Sequence, residues 1–379
     1  MKTNSALFPF LVTSLVTIFA GNVAAQLPNA AGGGSNITRP DSLQDEGYGG
    51  FMANASGSVI AGGGLMGKVT VQGSPLLWDP LSVVLSCTSG KAALTTSTDA
   101  AGTYIIDHVN VGKAFNTEAD ALSTQMIQHY EGCSVAAPLA GYHSSAVTIT
   151  QKNLRDNPYL GNIVLTVDEH APGTAFSEVG YSTSPDAAKL FDKAHDEWLH
   201  RNFDSAQKVL EQAVQVSPQF AEAWYMLGRL QMRSDLSAAT ASLKKAQAAD
   251  PKFLAPCVVL AALAVRQKNW PEASLWSSRA LDLDPAGTPQ IWYYAAQADY
   301  HIGKNEAARI GAQNAMDMDP EHDVPNAEDL LALTLAAKGD YAAAAAHLRH
   351  TLSYITTGPS VDLIKRQLAF MEQNAALKK

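Results

Sequence analysis

The side chains best placed to do chemistry are ten histidines, three cysteines and a few paired carboxylates. Imidazoles and carboxylates at the right spacing hold metal ions. His195 and His200 are five residues apart, which turns them to different sides of a helix, whereas His347 and His350, three apart, can share a face. His129 stands near Glu131 and Cys133, with His143 further on. No Cys-x-x-Cys, His-Glu-x-x-His or calcium-loop pattern occurs, so these histidines read as surface or capping groups. No metal and no cofactor is expected. The glycine triplets at 32–34 and 62–64 lack the Lys-Ser/Thr that completes a phosphate loop, and no Gly-x-Ser-x-Gly nucleophile elbow appears. Asp196-Glu197 and the Asp282, Asp284 pair fall on expected helix surfaces or unit ends. Solvated charge explains them more simply than acid–base catalysis.

The elements that would position such groups differ between the two halves. In the second half, Pro218, Pro251, Pro285 and Pro320 recur 33, 34 and 35 residues apart, each after a polar or acidic residue. Proline cannot continue the helix it follows, so it closes each unit. Small residues recur in phase: Ala194, Gly228, Ala261, Ala296 and Ala332, then Ala206, Ala239, Ala273, Ala308 and Ala344. Paired helices need small side chains where their backbones approach. Leu210, Leu243 and Leu348 fill the gaps, and Trp224 and Trp292 stand near unit starts. The second unit is one residue short near Arg233-Ser234-Asp235. Period, small residues, aromatics and proline together resemble the tetratricopeptide repeat, present about five times over 186–356. A last helix over 361–373, with Leu363, Leu368 and Met371, is expected to cap the array within 357–379.

The first half reads differently. Lys2 and an apolar run at 7–20, followed by Val23-Ala24-Ala25, have the form of a secretory signal over 1–25. Residues 26–64 are a Gly-rich leader. Segments 69–71, 81–86, 104–106, 146–150 and 163–167 are rich in β-branched and aromatic residues and separated by turns, which predicts a small β-sandwich over 65–167. In Asp99-Ala100-Ala101-Gly102, Asp is expected to accept backbone amides and Gly to take a positive φ. Export permits Cys87 and Cys133 to pair, and a disulfide is expected over the alternative of two buried thiols that never meet. Cys257 reads as a core residue. Residues 168–185 form a linker, with 174–181 a candidate edge strand.

Thr98-Asp99-Ala100-Ala101-Gly102-Thr103-Tyr104, Leu139-Ala140-Gly141-Tyr142 and Asn157-Pro158-Tyr159-Leu160-Gly161 together resemble the carboxypeptidase-regulatory-like, transthyretin-like domain of exported bacterial proteins. The resemblance puts Cys87 and Cys133 at that family's cysteine positions and implies a non-catalytic accessory module. The fold class is therefore multidomain all-β plus all-α: a β-sandwich followed by an α-solenoid of tetratricopeptide repeats.

The net charge is −9, with the acidic excess mostly in residues 26–185. An acidic chain repels phosphate backbones, so nucleic acid is not an expected partner. No later stretch is long and apolar enough to span a bilayer, so the mature chain carries no expected transmembrane segment. The repeat resemblance implies that groove-facing positions lie on each unit's first helix: His195 and Trp198; Tyr225, Arg229, Met232 and Arg233; Val258, Ala262 and Arg266; Tyr293, Gln297, Tyr300 and His301; Asp329 and Leu333. Aromatics with arginine suit a peptide or protein, and Arg229, Arg233 and Arg266 on neighbouring units suit an acidic segment. Each aromatic is equally explained as packing between helices. The expected function is an exported, non-catalytic scaffold at the periplasm or cell envelope, with its partner in this groove. The alternatives are a carbohydrate- or surface-binding sandwich with the repeats as spacer, and an enzyme at the domain junction near His170 and His195.

Overall fold

The computed structural model describes residues 65–72, 78–87, 94–106, 130–155, 157–177, 179, 184–319, 322–324, 326–358 and 360–377. The expected signal segment and Gly-rich leader lie outside the described residues, as do Lys378 and Lys379.

Among the described residues the first part holds eight strands: β1 (Leu65–Val71), β2 (Ser82–Ser86), β3 (Leu94–Ser97), β4 (Thr103–Ile106), β5 (Ser134–Ala136), β6 (Tyr142–Ser144), β7 (Val147–Thr148) and β8 (Tyr159–Val167), with a short helix α1 (Gln151–Arg155) before β8. They form two four-stranded sheets, ordered β4-β1-β8-β6 and β3-β2-β5-β7. Strand β1 runs parallel to β8, while the other pairs are antiparallel. Alternating side chains put Val69, Ile163 and Leu165 of one sheet and Val83, Leu85 and Val135 of the other into a single apolar cluster. The strand-rich segments of the sequence correspond to β1, β2, β4, β7 and β8. Strands β3, β5 and β6 are three or four residues long and carry too few apolar residues to show a period.

The Asp99 turn forms by the expected means. The Asp99 carboxylate accepts from the amides of Ala101 at 2.9 Å and Thr103 at 2.7 Å, and Gly102 has φ +80°. This turn aims Tyr104, fully buried, across Gly67. A Cβ on Gly67 would lie 2.4 Å from the Tyr104 hydroxyl, so only glycine fits there. A disulfide joins Cys87, just after β2, to Cys133, just before β5.

The second part consists of five antiparallel helix pairs and a cap: α2 (Pro185–Leu199) with α3 (Phe203–Val216), α4 (Ala221–Gln231) with α5 (Leu236–Ala249), α6 (Leu254–Arg266) with α7 (Trp270–Leu283), α8 (Pro289–His301) with α9 (Asn305–Asp317), α10 (Asn326–Ala337) with α11 (Tyr341–Tyr354), and α12 (Val361–Leu377). The in-phase small residues are wedged between helices. Ala194, Ala261, Ala296 and Ala332 are fully buried, and a Cβ on Gly228 would meet Leu243 Cγ at 2.8 Å. The indole N–H of Trp224 donates to Pro218 O and that of Trp292 to Ala286 O, tying the turn before each helix to its second turn in two different units. Ile364 and Met371 of α12 close the last pair against Ala344 and Leu348.

The inner turns explain the short second unit. In pairs one, three, four and five, one residue takes a left-handed conformation: Arg201 (φ 60°), Lys268 (φ 58°), Gly303 (φ 82°) and Gly339 (φ 80°). Pair two turns from Gln231 to Leu236 without one, and Asp235 caps α5 by accepting from the amides of Ser237 and Ala238. The missing residue is the left-handed one.

The connecting stretch expected as a linker is fastened to both parts. The Asp168 amide donates to Gly141 O and the Ala175 amide to Ala140 O. The Thr174 amide donates to Lys252 O and the Leu254 amide to Thr174 O, so Thr174 bridges to the entry of α6. Among its described residues this stretch makes one bridge, Thr174 to Phe253 in the turn before α6; the rest of the candidate edge strand at 174–181 lies in part outside the described residues. Gly173 has no room for a side chain, since a Cβ there would lie 2.6 Å from Leu283 Cβ.

Candidate partner-binding face

The candidate face is built from the first helices of the pairs. Helix α8 touches both α6 and α10, so these helices form one continuous surface. At its N-terminal end the face is covered by this chain itself.

Trp78, in the turn before β2, is only 4 % exposed. Its packing is with the helical part and not with its own sheets: it belongs to the apolar cluster of α2 to α6. Its ring lies 5.1 Å from Phe191, 4.9 Å edge-on to His195 and 5.7 Å from Trp198. These three residues sit at i, i+4 and i+7 on α2 and therefore share one face. The next residue, Asp79, accepts two hydrogen bonds from the Arg229 guanidinium, Nη1 to Oδ2 at 2.5 Å and Nη2 to Oδ1 at 2.8 Å. The Arg229 side chain is 11 % exposed and that of Asp79 26 %. Such a two-pronged, charge-assisted pair fixes both distance and orientation. The same guanidinium lies 5.6 Å from the centroid of the Tyr225 ring.

A second carboxylate stands beside this pair. Glu222 on α4 accepts from the Ser177 amide at 3.0 Å, and the Ser177 hydroxyl donates to Asp250 at 2.7 Å. Burial pushes the Glu222 pKa up to about 8, with Asp79 and Asp250 adding to the rise and the Ser177 amide opposing it. Tyr225, pushed upward by burial, packs edge-on against Phe253 at 5.1 Å. A cavity of about 30 Å³ remains between the two parts, lined by Trp78, Asp79, Leu139, Phe176, Glu222 and Tyr225. His170 is exposed while His195 is buried against Trp78, so the two histidines expected at the junction sit in different environments.

The other expected residues are dispersed. Among the described residues, Arg229 alone of the three arginines meets a carboxylate, and that carboxylate is this chain's own. Arg233 is exposed, with its guanidinium 4.4 Å above the Phe203 ring. Arg266 is exposed at the end of α6. Tyr293 and Tyr300 are half-buried and pack against the cluster of Ala296, Ala312, Leu330 and Leu331, so both do core work as well as lining the face. Burial, reinforced by the Asp329 charge, raises the Tyr293 pKa. Gln297 Oε1 and Asp329 Oδ1 are buried acceptors without a donor among the described residues. Burial raises the Asp329 pKa to about 6. Trp270 stacks on His301, centroids 3.9 Å apart.

His347 and His350 do share a face, and what they meet is Glu328. Their Nδ1 atoms lie 3.0 and 2.9 Å from its carboxylate, and Tyr354 donates to it at 2.9 Å. Among the described residues no group of three His, Cys, Asp or Glu side chains is arranged to hold a metal ion.

Sequence reasoning missed Trp78 and Asp79. The signal available was a lone Trp-Asp-Pro in a strand-rich region, and nothing local says that its tryptophan leaves its own core.

Comparison with known proteins agrees with the helical part. Residues 191–252, spanning α2 to α5, match the tetratricopeptide-repeat family model. Tetratricopeptide repeats are in general a non-catalytic protein-interaction fold. Solved structures similar to this chain include MamA from Desulfovibrio magneticus RS-1, at 18 % identity and TM-score 0.40, covering 45 % of this chain and 95 % of that one. YrrB, a TPR protein described as having an unusual peptide-binding site, shows 17 % identity and TM-score 0.43, covering 49 % and 93 %. No curated protein sequence matches the chain. Among the described residues no helix is long and apolar enough to cross a membrane.

Proposed function

We propose that this chain is an exported, non-catalytic scaffold of the periplasm or cell envelope that holds a protein or peptide on the first helices of its repeats. In this reading the two sheets are a sandwich of the carboxypeptidase-regulatory-like type, serving as an accessory module. The supporting observation is the seat of Trp78 and Asp79. Aromatic rings on α2 and a guanidinium on α4 hold a non-helical segment by stacking and a bidentate ion pair. Such a face is chemically suited to extended polypeptide.

In this reading α6, α8 and α10 extend the face beyond the seat of Trp78 and Asp79, and Arg266 is exposed there. The full mature chain, immobilised and passed over envelope extract, should retain a defined protein that an Arg266→Glu, Gln297→Lys variant loses. Retention that is identical for both chains, or no retention at all, counts against the reading. The second reading, a surface binder on the strand-rich part, draws on one observation. Ile105 and Tyr159, both exposed, flank Met66 in register across β4, β1 and β8 and make an apolar row on that sheet's outer face.

A further inference from the structure

Trp78 and Asp79 behave as a ligand of the helical face, which is unusual for a residue pair in a turn between strands. Three observations separate them from ordinary core. The Trp78 ring contributes nothing to the cluster that both sheets share and is instead surrounded by α2 side chains. Among the described residues its indole N–H is buried without an acceptor, so the contacts shown are to the ring's faces and not to its polar edge. The adjacent carboxylate is read separately, by both prongs of Arg229. The slot's present occupant is therefore an aromatic ring followed directly by a carboxylate.

The strand-rich part is also held by a second attachment. Thr174, Ser177 and Gly173 fasten the connecting stretch to the turn before α6, to Glu222 and Asp250, and to Leu283. Of the slot's two helices it uses α4, through Glu222, but neither α2 nor Arg229. It acts as a tether that keeps the Trp78 turn close to its slot, at an effective concentration on the order of millimolar for a short tether.

We propose that the face formed by α2 and α4 is a receptor for an aromatic–acidic residue pair, kept filled by the chain's own Trp78-Asp79 and taken over by a partner segment that carries the same pair. This rests on the reading that the first helices receive the partner, and adds to it the partner's chemistry and a built-in competitor. A partner must outbid the tethered pair, so binding to the native chain is weaker than the face's intrinsic affinity by the ratio of effective concentration to intrinsic Kd.

The test uses the full mature chain and a fluorescent peptide of sequence Leu-Leu-Trp-Asp-Pro-Leu, the chain's own residues 76–81, followed by anisotropy. A Trp78→Ser, Asp79→Ser variant should bind the peptide about 10- to 100-fold more tightly than the native chain. Adding Arg229→Glu to that variant, or exchanging the peptide's Asp for Lys, should abolish the gain. Asp79→Asn keeps the ring but removes the charge and one prong of the Arg229 contact, and it should bind several-fold more tightly than the native chain. Equal binding by the native chain and both variants overturns the proposal. So does a partner that seats on α8 and α10 without competition from this peptide, an outcome that leaves the general groove reading intact.

Discussion

Arg229 on α4 grips Asp79, a residue 150 positions earlier in the chain, with both prongs of its guanidinium at 2.5 and 2.8 Å. The arginine is nearly buried, so its charge depends on that one carboxylate more than on solvent. Removing one partner of such a pair strands the other, whereas removing both does not. Asp79→Asn should therefore destabilise the chain by about 3 kcal/mol, and Asp79→Asn with Arg229→Met by clearly less. Urea unfolding of the two single variants and the double variant gives the coupling directly, and additive losses would show that the pair is not coupled.

Glu222 gives a pH dependence of definite sign. Its carboxyl pKa is raised in the folded chain to about 8, from an ordinary 4.5, by burial first. The folded state thus binds the proton more tightly, and this group's contribution falls as pH rises from about 4.5 to 8. Glu222→Gln keeps an acceptor for the Ser177 amide and removes the titration. It should stabilise the chain by roughly 1–3 kcal/mol at pH 8 and change little near pH 4. Denaturation midpoints at both pH values decide it.

Glu328 behaves in the opposite sense. Burial alone would raise its pKa, but hydrogen bonds from His347, His350 and Tyr354 outweigh burial and hold it below the usual value. Its contribution is present above the ordinary carboxyl pKa and is lost as pH falls through the folded value. Glu328→Gln should cost about 2 kcal/mol at pH 7, and the cost should shrink at pH 3. A loss of equal size at both pH values would contradict this.

Lys268 turns the corner between α6 and α7 with φ 58°, where the equivalent turns of pairs four and five use Gly303 and Gly339. A side chain in the left-handed region carries a penalty of roughly 1 kcal/mol that glycine avoids. Lys268→Gly should raise stability by about 0.5–1 kcal/mol, read as a shift of the thermal midpoint.

The helical part was legible because its constraints are local and recur. Proline ends each unit, and Gly228, Ala261 and Ala296 are small because a neighbouring helix leaves no space, as the 2.8 Å approach of Leu243 to Gly228 shows. The Asp99 turn was legible for the same reason, since its carboxylate, amides and Gly102 lie within a few residues. The covered end of the face was not legible. His195, Trp198 and Arg229 were recognised as groups that hold something, but their occupant is set by the docking of one part on the other. The histidine pair carried half a signal: spacing put His347 and His350 together, while Glu328 lies 19 and 22 residues upstream on another helix. The fastening of the connecting stretch was not legible either, because the group that leaves Gly173 no room for a side chain is Leu283, on a helix far along the chain.

The membership of Trp78 in the helical core makes the boundary near residue 185 a seam in composition and not in cooperativity. A fragment cut there would inherit Phe191, His195 and Trp198 with an uncovered aromatic notch and an unmatched buried guanidinium. Such a fragment would be less stable than the same helices in the intact chain.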